Sequence, residues 1–202
     1  MVYAGSAFRQ DEKKVSQGIG REHTFYTSSE LLKSAIESKG YSMEYDCPSP
    51  FKFVGADEKA TLADGNADRA TVRFSGYTTA VFEYDAAKGV YRRSQYGQKH
   101  IDANNDEQVA VSNVLILYAP VTNIGSTYLS RYDLSGGDGY YLSDGKVQEL
   151  RWSKGAYNKP FVYTDPEGKE LTFNPGKTWV CLVPTGERNS TVFETAAAAE
   201  AE

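Results

Sequence analysis

A two-residue Asp-Gly loop between two alternating apolar and polar runs is the sequence feature that most constrains this fold. Residues 140–143 precede Asp144-Gly145, and residues 146–152 follow it. Such a loop suits a type I′ turn, which matches the twist of two paired strands, so this stretch predicts a β-hairpin. Residues 109–118 form a longer and more apolar run, which predicts a central strand.

The same period-two pattern continues through most of the chain. Runs bounded by turn residues predict further strands at residues 71–74, 79–84, 90–95, 128–134, 161–164, 170–173 and 178–183. Residues 128–134 are expected to pair beside the central strand. Gly168 suits the left-handed position of a type I turn in the hairpin that contains it. The predicted fold class is α+β, mostly β: an antiparallel β-rich, barrel- or sandwich-like domain with one clear N-terminal helix.

The N-terminal helix is predicted at residues 28–39. Thr27 and Glu30 form a capping box at its start, and Gly40 is a natural stop at its end. Between them, apolar residues recur at helical spacing at Leu31, Leu32, Ala35 and Ile36.

The polar stretch at residues 55–68 predicts a domain boundary, with residues 1–68 before it and a β-rich domain at residues 69–187 after it. Residues 188–202 end in an Ala-rich run that has no apolar stripe to bury, so they are expected to form a disordered tail.

Composition excludes several functional classes. The chain has 2 His and 2 Cys, which excludes a zinc cage built from these residues and a disulfide-dense scaffold. Its net charge of −5 makes it a poor generic binder of nucleic acid. No cofactor and no metal are predicted.

The 15 Tyr fall mainly on predicted strands, where aromatic rings pack on a half-buried surface. The alternative interpretation is that Tyr or Trp side chains line a binding groove.

The sequence shows neither a membrane span nor a signal peptide. Its longest apolar run, at residues 114–120, is far shorter than the roughly 20 residues that a spanning helix needs. Residues 1–22 have no apolar stretch of the kind that a signal peptide carries. These features indicate a cytoplasmic chain or a fragment of a longer protein.

The two cysteines allow two interpretations. A bridge between Cys47 and Cys181 would close a long loop. The favoured alternative is that Cys181 is a small apolar residue in a buried strand.

The densest polar cluster predicts a ligand-binding site at Arg93, Ser94, His100, Asp102 and Asn113. A strand there ends in two guanidinium groups, and a loop with an imidazole and a carboxylate follows. Because adjacent strand residues face opposite ways, either Arg92 or Arg93 enters such a site, where its planar fork suits a carboxylate or phosphate.

Three other interpretations of this cluster stay open. His100 and Asp102 are favoured as residues that hydrogen-bond a long loop in place. A Ser94, His100 and Asp102 catalytic trio is conceivable, although no Gly-x-Ser-x-Gly elbow surrounds Ser94. His100, Asp102 and Asp106 could supply three metal ligands, but their spacing matches no known loop. Trp152 and Trp179 are expected in the core rather than on a ligand platform.

A series of short motifs resembles one family. In chain order they are His23-Thr24-Phe25-Tyr26-Thr27-Ser28, Phe51-Lys52-Phe53, Tyr91-x-Arg93-Ser94, His100-x-Asp102, Asn113-Val114, Gly139-Tyr140-Tyr141, Asp144-Gly145-Lys146, Trp152-x-Lys154 and Asn174-Pro175-Gly176-Lys177-Thr178-Trp179. Together they look like the YerB-like lipoproteins, a family of unknown function found mostly in Gram-positive bacteria. The resemblance covers residues 21–185, and it implies export, a lipid anchor and two domains, the second of them β-rich.

The resemblance makes residues 1–68 the remnant of an N-terminal α/β domain. The chain is expected to depart from the family in two ways: it has neither a signal peptide nor an anchoring cysteine, and it starts late in the family's first domain. Glu22-His23-Thr24 stands where the family has Pro-His-Asn. The family has no established catalytic residues to transfer.

The first functional hypothesis is a non-enzymatic, extracytoplasmic binding or scaffolding module at the cell envelope, anchored to the membrane. It would contact a polar or anionic envelope ligand or a protein partner. The alternative is a hydrolase or transferase that acts on a cell-wall component and uses His100 and Asp102 as its base pair. A third hypothesis is a domain that only spaces or caps a partner.

Overall fold

The structure is a computed structural model of the chain, and it describes residues 7–44, 48–55, 57–125, 130–156 and 158–195. The described residues fall into two compact units that divide between residues 47 and 48. This division lies earlier than the predicted boundary at residue 68, because the segment after Pro48 packs with the β-rich unit. That residues 1–68 derive from an N-terminal α/β domain stays a prediction.

The N-terminal unit consists of short elements. In chain order they are β1 (Arg9–Gln10), α1 (Glu12–Ser16), a 3₁₀ helix (Arg21–His23), β2 (Phe25–Tyr26) and α2 (Ser29–Ser38). Strands β1 and β2 pair antiparallel.

Helix α2 agrees with the predicted helix at residues 28–39 to within one residue at each end. Its N-cap is Ser28, whose hydroxyl accepts from the Leu31 backbone N–H. The predicted cap, Thr27, is wrong: its hydroxyl donates to the Ala7 carbonyl at 2.6 Å instead. Two adjacent hydroxyl residues offer equivalent local caps, so a contact outside the helix decides between them.

The C-terminal unit is built from strands. They are β3 (Gly65–Asn66), β4 (Arg69–Arg73), β5 (Thr79–Asp85), β6 (Val90–Gln95), β7 (Gln98–Lys99), β8 (Ala110–Val111), β9 (Asn113–Ala119), β10 (Val121–Asn123), β11 (Ser130–Tyr132), β12 (Gly136–Ser143), β13 (Lys146–Lys154), β14 (Phe161–Thr164), β15 (Thr178–Pro184) and β16 (Val192–Glu194). A 3₁₀ helix, Thr185–Ser190, connects the last two strands.

Among the described residues of this unit, two six-stranded sheets account for most strands. Sheet A has the order β14-β13-β12-β9-β15, and β3 pairs with β13. Sheet B has the order β16-β4-β5-β6-β7, and β8 pairs with β6. Side chains of both sheets meet in one apolar cluster that includes Val72 and Phe82 from sheet B and Ile116 and Leu142 from sheet A. The predicted mostly-β class with a sandwich-like pair of sheets is confirmed.

Sheet A is covered on both faces. Its second face packs in another apolar cluster with Leu62, Leu171 and Phe173, and Phe51 stacks on Tyr163 there. Strand β9 therefore has all seven residues buried, which explains its continuous apolar sequence and confirms its central place.

Cys181 faces the layer between the two sheets. It is a free thiol, and burial raises its pKa to about 12. This agrees with the small apolar role expected for it. Cys47 lies outside the described residues.

Two predicted hairpins form, at Asp144-Gly145 and before Val90. Asp144 and Gly145 both have positive φ, as a type I′ turn requires. Strands β5 and β6 pair across the turn before Val90.

The predicted strand at residues 170–173 does not form: Glu170 and Phe173 make only isolated bridges, to Thr164 and Phe53. Gly168 takes a φ of +92° at its turn.

Two pairings differ from the prediction. Strand β15 runs parallel to β9, whereas antiparallel pairing was expected. Strand β11 pairs with β10 and not with the central strand, because β12 and β15 occupy the two edges of β9.

The predicted disordered tail also begins too early. Residues 188–190 end the second 3₁₀ helix, and β16 pairs antiparallel with β4. Phe193 lies against Tyr140 with ring centroids 4.9 Å apart, which supplies the apolar contact that the Ala-rich run itself lacks. Residues 196–202 lie outside the described residues.

Replacing Gly139 tests the tight approach of β12 to β9. A Cβ at Gly139 would come closer than 3.0 Å to the backbone oxygen of Ile116, which cannot move aside. We expect Gly139→Ala to lower the free energy of unfolding by about 1–3 kcal/mol, measured by urea denaturation.

Gly186→Ala is the matched control, because a Cβ there meets no atom within 4 Å. Equal stability of the two variants would contradict the described packing of β12 on β9.

Candidate functional site

Three strands of sheet A bring polar residues together at one end of the sheet. Asn113 begins β9, Ser143 ends β12 and Thr178 begins β15. In the strand register Asn113 lies opposite Ser143 on one side and Thr178 on the other. This arrangement follows from the topology, because β12 is antiparallel to β9 and β15 is parallel to it.

Asn113 is the centre of a buried hydrogen-bond network. Its Nδ2 donates to the Asn174 carbonyl at 2.8 Å and to Thr178 Oγ1 at 3.3 Å, and its Oδ1 accepts from the Tyr141 hydroxyl at 3.1 Å. The Tyr141 hydroxyl accepts in turn from the Asn174 N–H at 2.9 Å. Because the amide has partners on both its nitrogen and its oxygen, its burial carries little desolvation penalty.

The side chain of Asn174 extends this network to a second segment. Its Nδ2 donates to Ser143 Oγ at 2.9 Å, and its Oδ1 accepts from the Ala60 N–H at 2.8 Å. Asn174 therefore ties the loop before β15 to the end of β12 and to the segment that contains Ala60.

A polar cleft of about 450 Å³ opens above these residues, and we call it the Asn174 cleft. Asn174 and Ser143 are buried and form its floor. Other lining residues are Asp57, Glu58, Lys59, Ser112, Asp144 and Pro175.

The rim of the Asn174 cleft is fixed by an ion pair. Lys59 Nζ lies 2.6 Å from Asp144 Oδ2, and the Tyr84 hydroxyl donates to Asp144 Oδ1 at 2.6 Å. The hydrogen bond from Lys59 is the main reason why the pKa of Asp144 lies below its usual value. Asp144 is therefore an ionised acceptor at neutral pH.

Arg93 lies between the two sheets rather than on the surface. It is 5% exposed, and its guanidinium carbon lies 4.4 Å from the Trp179 ring centroid. Its Nη2 donates to Gln95 Oε1 at 2.6 Å, and its Nε has no hydrogen-bond partner. Burial lowers the pKa of Arg93. None of the ion pairs between described residues includes Arg93. The cation–π contact with the Trp179 ring is therefore a main stabilising interaction of its guanidinium group.

His100 is held by Arg93. The Arg93 Nη1 group contacts His100 Nδ1, and the imidazole meets the Trp179 ring edge to face, with centroids 5.8 Å apart. Since a guanidinium can only donate, Nδ1 accepts, and the proton of the neutral ring lies on Nε2.

Ser94 and Asp102 lie apart from this pair. Ser94 Oγ accepts from Gln108 Nε2 at 3.3 Å. Asp102 is exposed, and its Oδ1 accepts from the backbone and the side chain of Asn104, both at 2.9 Å. The hydrogen bond from the Asn104 backbone N–H is the main cause of the lowered pKa of Asp102.

Arg92, the alternative to Arg93 in the sequence analysis, donates from both Nε and Nη2 to the Asp85 carboxylate.

One of the five predicted site residues, Asp102, lines a cleft of about 420 Å³ that Trp179 also lines, and we call it the Trp179 cleft. The others touch lining residues: Arg93 and His100 touch Trp179, Ser94 touches Gln108, and Asn113 touches Thr178. Further lining residues are Asn105, Glu107 and Lys177.

The metal alternative finds no support in the described part of the chain. There, no three His, Cys, Asp or Glu side chains gather as ligands of one ion, and His100, Asp102 and Asp106 are no exception.

Comparison with known proteins identifies the family. A family model described as the C-terminal domain of a protein of unknown function (DUF3048) matches residues 70–180, which is more than half of the chain. The chain belongs to this family. The resemblance to the YerB-like lipoproteins is confirmed by the likeness of the chain to the YerB protein of Bacillus subtilis.

Two further matches come from Bacillus subtilis. "Putative lipoprotein YerB" is 33% identical over 164 residues, which cover 80% of this chain and 48% of that protein. The crystal structure of the YerB protein superimposes with a TM-score of 0.71 at 28% identity, covering 95% of this chain and 60% of that one. This DUF3048 chain thus spans about half the length of the curated relative that it matches.

In the part of this DUF3048 chain that the structure describes, none of the helices has the length and apolar character needed to cross a bilayer.

The sequence analysis did not identify Tyr141 and Asn174 as members of the buried network around Asn113. The sequence places Tyr141 on a strand and Asn174 in a turn before the last strand, and it does not indicate that the two residues share a buried network. The available signal was an Asn next to Pro175-Gly176, in a chain that places Asn113 at the start of its most apolar strand. Trp179 was expected in the core, whereas it packs on the core with one part and lines a cleft with another.

Replacing Tyr141 tests the buried network. Tyr141→Phe leaves Asn113 Oδ1 and the Asn174 N–H without their partner in a buried site. We expect a loss of about 1–3 kcal/mol in the free energy of unfolding, measured by urea denaturation.

Tyr77→Phe is the control, because Tyr77 is 93% exposed and its replacement should leave stability unchanged. A Tyr141→Phe variant as stable as the wild type would show that the network contributes nothing.

Proposed function

We propose that this chain is a non-enzymatic binding module of an extracytoplasmic, membrane-anchored lipoprotein at the cell envelope, and that a neutral, hydroxyl-rich ligand of the saccharide type occupies the Trp179 cleft. The observation that carries the proposal is that Trp179, Asp102 and Gln108 line one cleft together. The location is inferred from the B. subtilis relative, whose name describes a lipoprotein.

The walls of the Trp179 cleft suit a ligand with one apolar and several polar faces. Arg93 and His100 both contact the Trp179 ring and help to fix its orientation. The ring can then pack on the apolar face of a sugar, while Asp102 and Gln108 bond its hydroxyl groups. Prearranged walls reduce the entropy that is lost on binding.

Charge favours a neutral ligand over an anionic one. Asp102 and Glu107 line the Trp179 cleft against a single cation, Lys177, among the described lining residues. An anionic ligand would meet like charge here, which costs affinity. Arg93, the residue that the sequence suggested for anion recognition, is buried behind Trp179.

The hydrolase or transferase alternative has less support. General-base catalysis needs a lone pair directed at the substrate. In neutral His100 the Nδ1 lone pair faces Arg93 and Nε2 carries the proton, so the ring is a hydrogen-bond donor. The Asp102 carboxylate accepts from Asn104 and has no described hydrogen bond to His100.

Binding of a neutral oligosaccharide tests this proposal. A tetramer of β-linked N-acetylglucosamine should bind the wild type and shift the Trp179 indole resonance in NMR titrations. The Trp152 indole, which donates to the Asp138 carbonyl inside the fold, should not shift. Asp102→Asn should weaken binding on the order of 10-fold, because it removes a charged acceptor.

Asp106→Asn is the matched control. It removes the same charge from the same loop outside the cleft lining, at a positive φ that Asn tolerates. Equal weakening by both substitutions, or unchanged binding after Asp102→Asn, would count against the Trp179 cleft as the site.

A further inference from the structure

We propose that the Asn174 cleft is a second subsite, and that the two clefts together bind a linear, neutral, hydroxyl-rich polymer that crosses from one to the other. This inference rests on the proposed function of the Trp179 cleft. It assigns a role to the Asn174 cleft and a minimum length to the ligand.

The two clefts share a wall. Ser112, Asn174 and Pro175 line the Asn174 cleft. Val111, which precedes Ser112, and Lys177, two residues after Pro175, line the Trp179 cleft. The Ser112 and Asn113 backbone N–H groups both donate to the Lys177 carbonyl, at 2.9 and 3.0 Å, which holds the two segments of the wall together.

Gly176 lies in this wall, between Pro175 of the Asn174 cleft and Lys177 of the Trp179 cleft. It has φ +134°, and a Cβ on it would lie within 3.0 Å of the Ser112 side chain. Glycine at this position therefore lets the two segments of the wall pack closely, so that the clefts lie on either side of a thin wall.

The chemistry of the two clefts is alike. Asp57, Glu58 and Asp144 stand against Lys59 in the Asn174 cleft, so its described lining is acidic overall, as that of the Trp179 cleft is. Both clefts offer carboxylate, amide and hydroxyl groups, and their volumes are about 450 and 420 Å³. A polymer with one repeating neutral unit would find similar partners in each cleft.

The Asn113 network couples the subsites mechanically. Asn113 Nδ2 bonds Asn174 in one cleft and Thr178 in the other, so one buried amide sets the spacing between them. A fixed spacing favours a ligand whose repeat matches it, because little freedom remains to be lost on binding.

Ligand length and a blocked cleft test the inference. The probes are the dimer, tetramer and hexamer of β-linked N-acetylglucosamine, measured with the full chain by calorimetry and NMR. Affinity should rise with length, with the hexamer binding on the order of 10-fold more tightly than the dimer. At equal concentration, the Ser143 and Asp144 amides should shift further with the hexamer than with the dimer.

Asp57→Arg puts a long cation into the mouth of the Asn174 cleft. It should abolish the gain from dimer to hexamer and leave dimer binding intact. Glu167→Arg, an exposed charge reversal outside both linings, should keep the gain. An oligogalacturonate of equal length, which is anionic, should bind more weakly than the neutral hexamer.

Each result decides between the two proposals. Equal affinity for all lengths, or an unchanged gain in Asp57→Arg, would overturn the shared site and leave the Trp179 cleft as a single site. Failure of every neutral oligomer to bind would overturn the proposed function itself. Tighter binding of the anionic oligomer would overturn the ligand class assigned to both clefts.

Discussion

The buried side-chain amide of Asn113 is the interaction on which the arrangement of both clefts depends. It lies at the start of a strand whose other residues are all apolar and all buried. A polar group in such a place destabilises a fold unless its donors and acceptors are bound. Here the amide bonds the Asn174 carbonyl, Thr178 and Tyr141, which join the loop before β15 to the sheet.

Sheet topology makes this network possible. A parallel β15 places the start of its strand beside the start of β9, so that Thr178 lies next to Asn113. An antiparallel β15 would have put its other end there. The loop from Asn174 to Lys177 then has to lie over the end of sheet A, and it becomes the wall between the two clefts.

The second organising contact is the stack of Arg93 on Trp179. Among the described residues this buried guanidinium has no carboxylate partner, and it contacts the Trp179 ring face, the Gln95 amide oxygen and His100 Nδ1 instead. The same stack leaves the other part of Trp179 at the surface of a cleft. In the binding site that we propose, Arg93 is therefore a positioning residue that acts through Trp179.

Much of the fold could be predicted from local pattern. The Asp144-Gly145 turn and the alternation around it need no distant contact, and neither does the buried character of β9. The parallel pairing of β15 with β9 and the packing of Phe193 on Tyr140 each join residues that are far apart in the sequence. Local sequence pattern does not reveal such contacts. The clustering of polar residues along the chain indicated a candidate site at Arg93, Ser94, His100, Asp102 and Asn113, which stays a prediction. The sequence could not show that Arg93 faces inward or that Asn174 and Tyr141 complete the buried network, because these contacts join residues far apart in the chain.

The exchange rate of one backbone amide tests the central claim most directly. The Asn174 N–H donates to the Tyr141 hydroxyl in a buried site, so the account predicts that it exchanges with solvent deuterium only when the whole C-terminal unit unfolds, as slowly as the amides of β9. Exchange as fast as that of Glu167, in an exposed turn, would mean that the loop opens locally and that Asn113 does not hold the wall between the clefts.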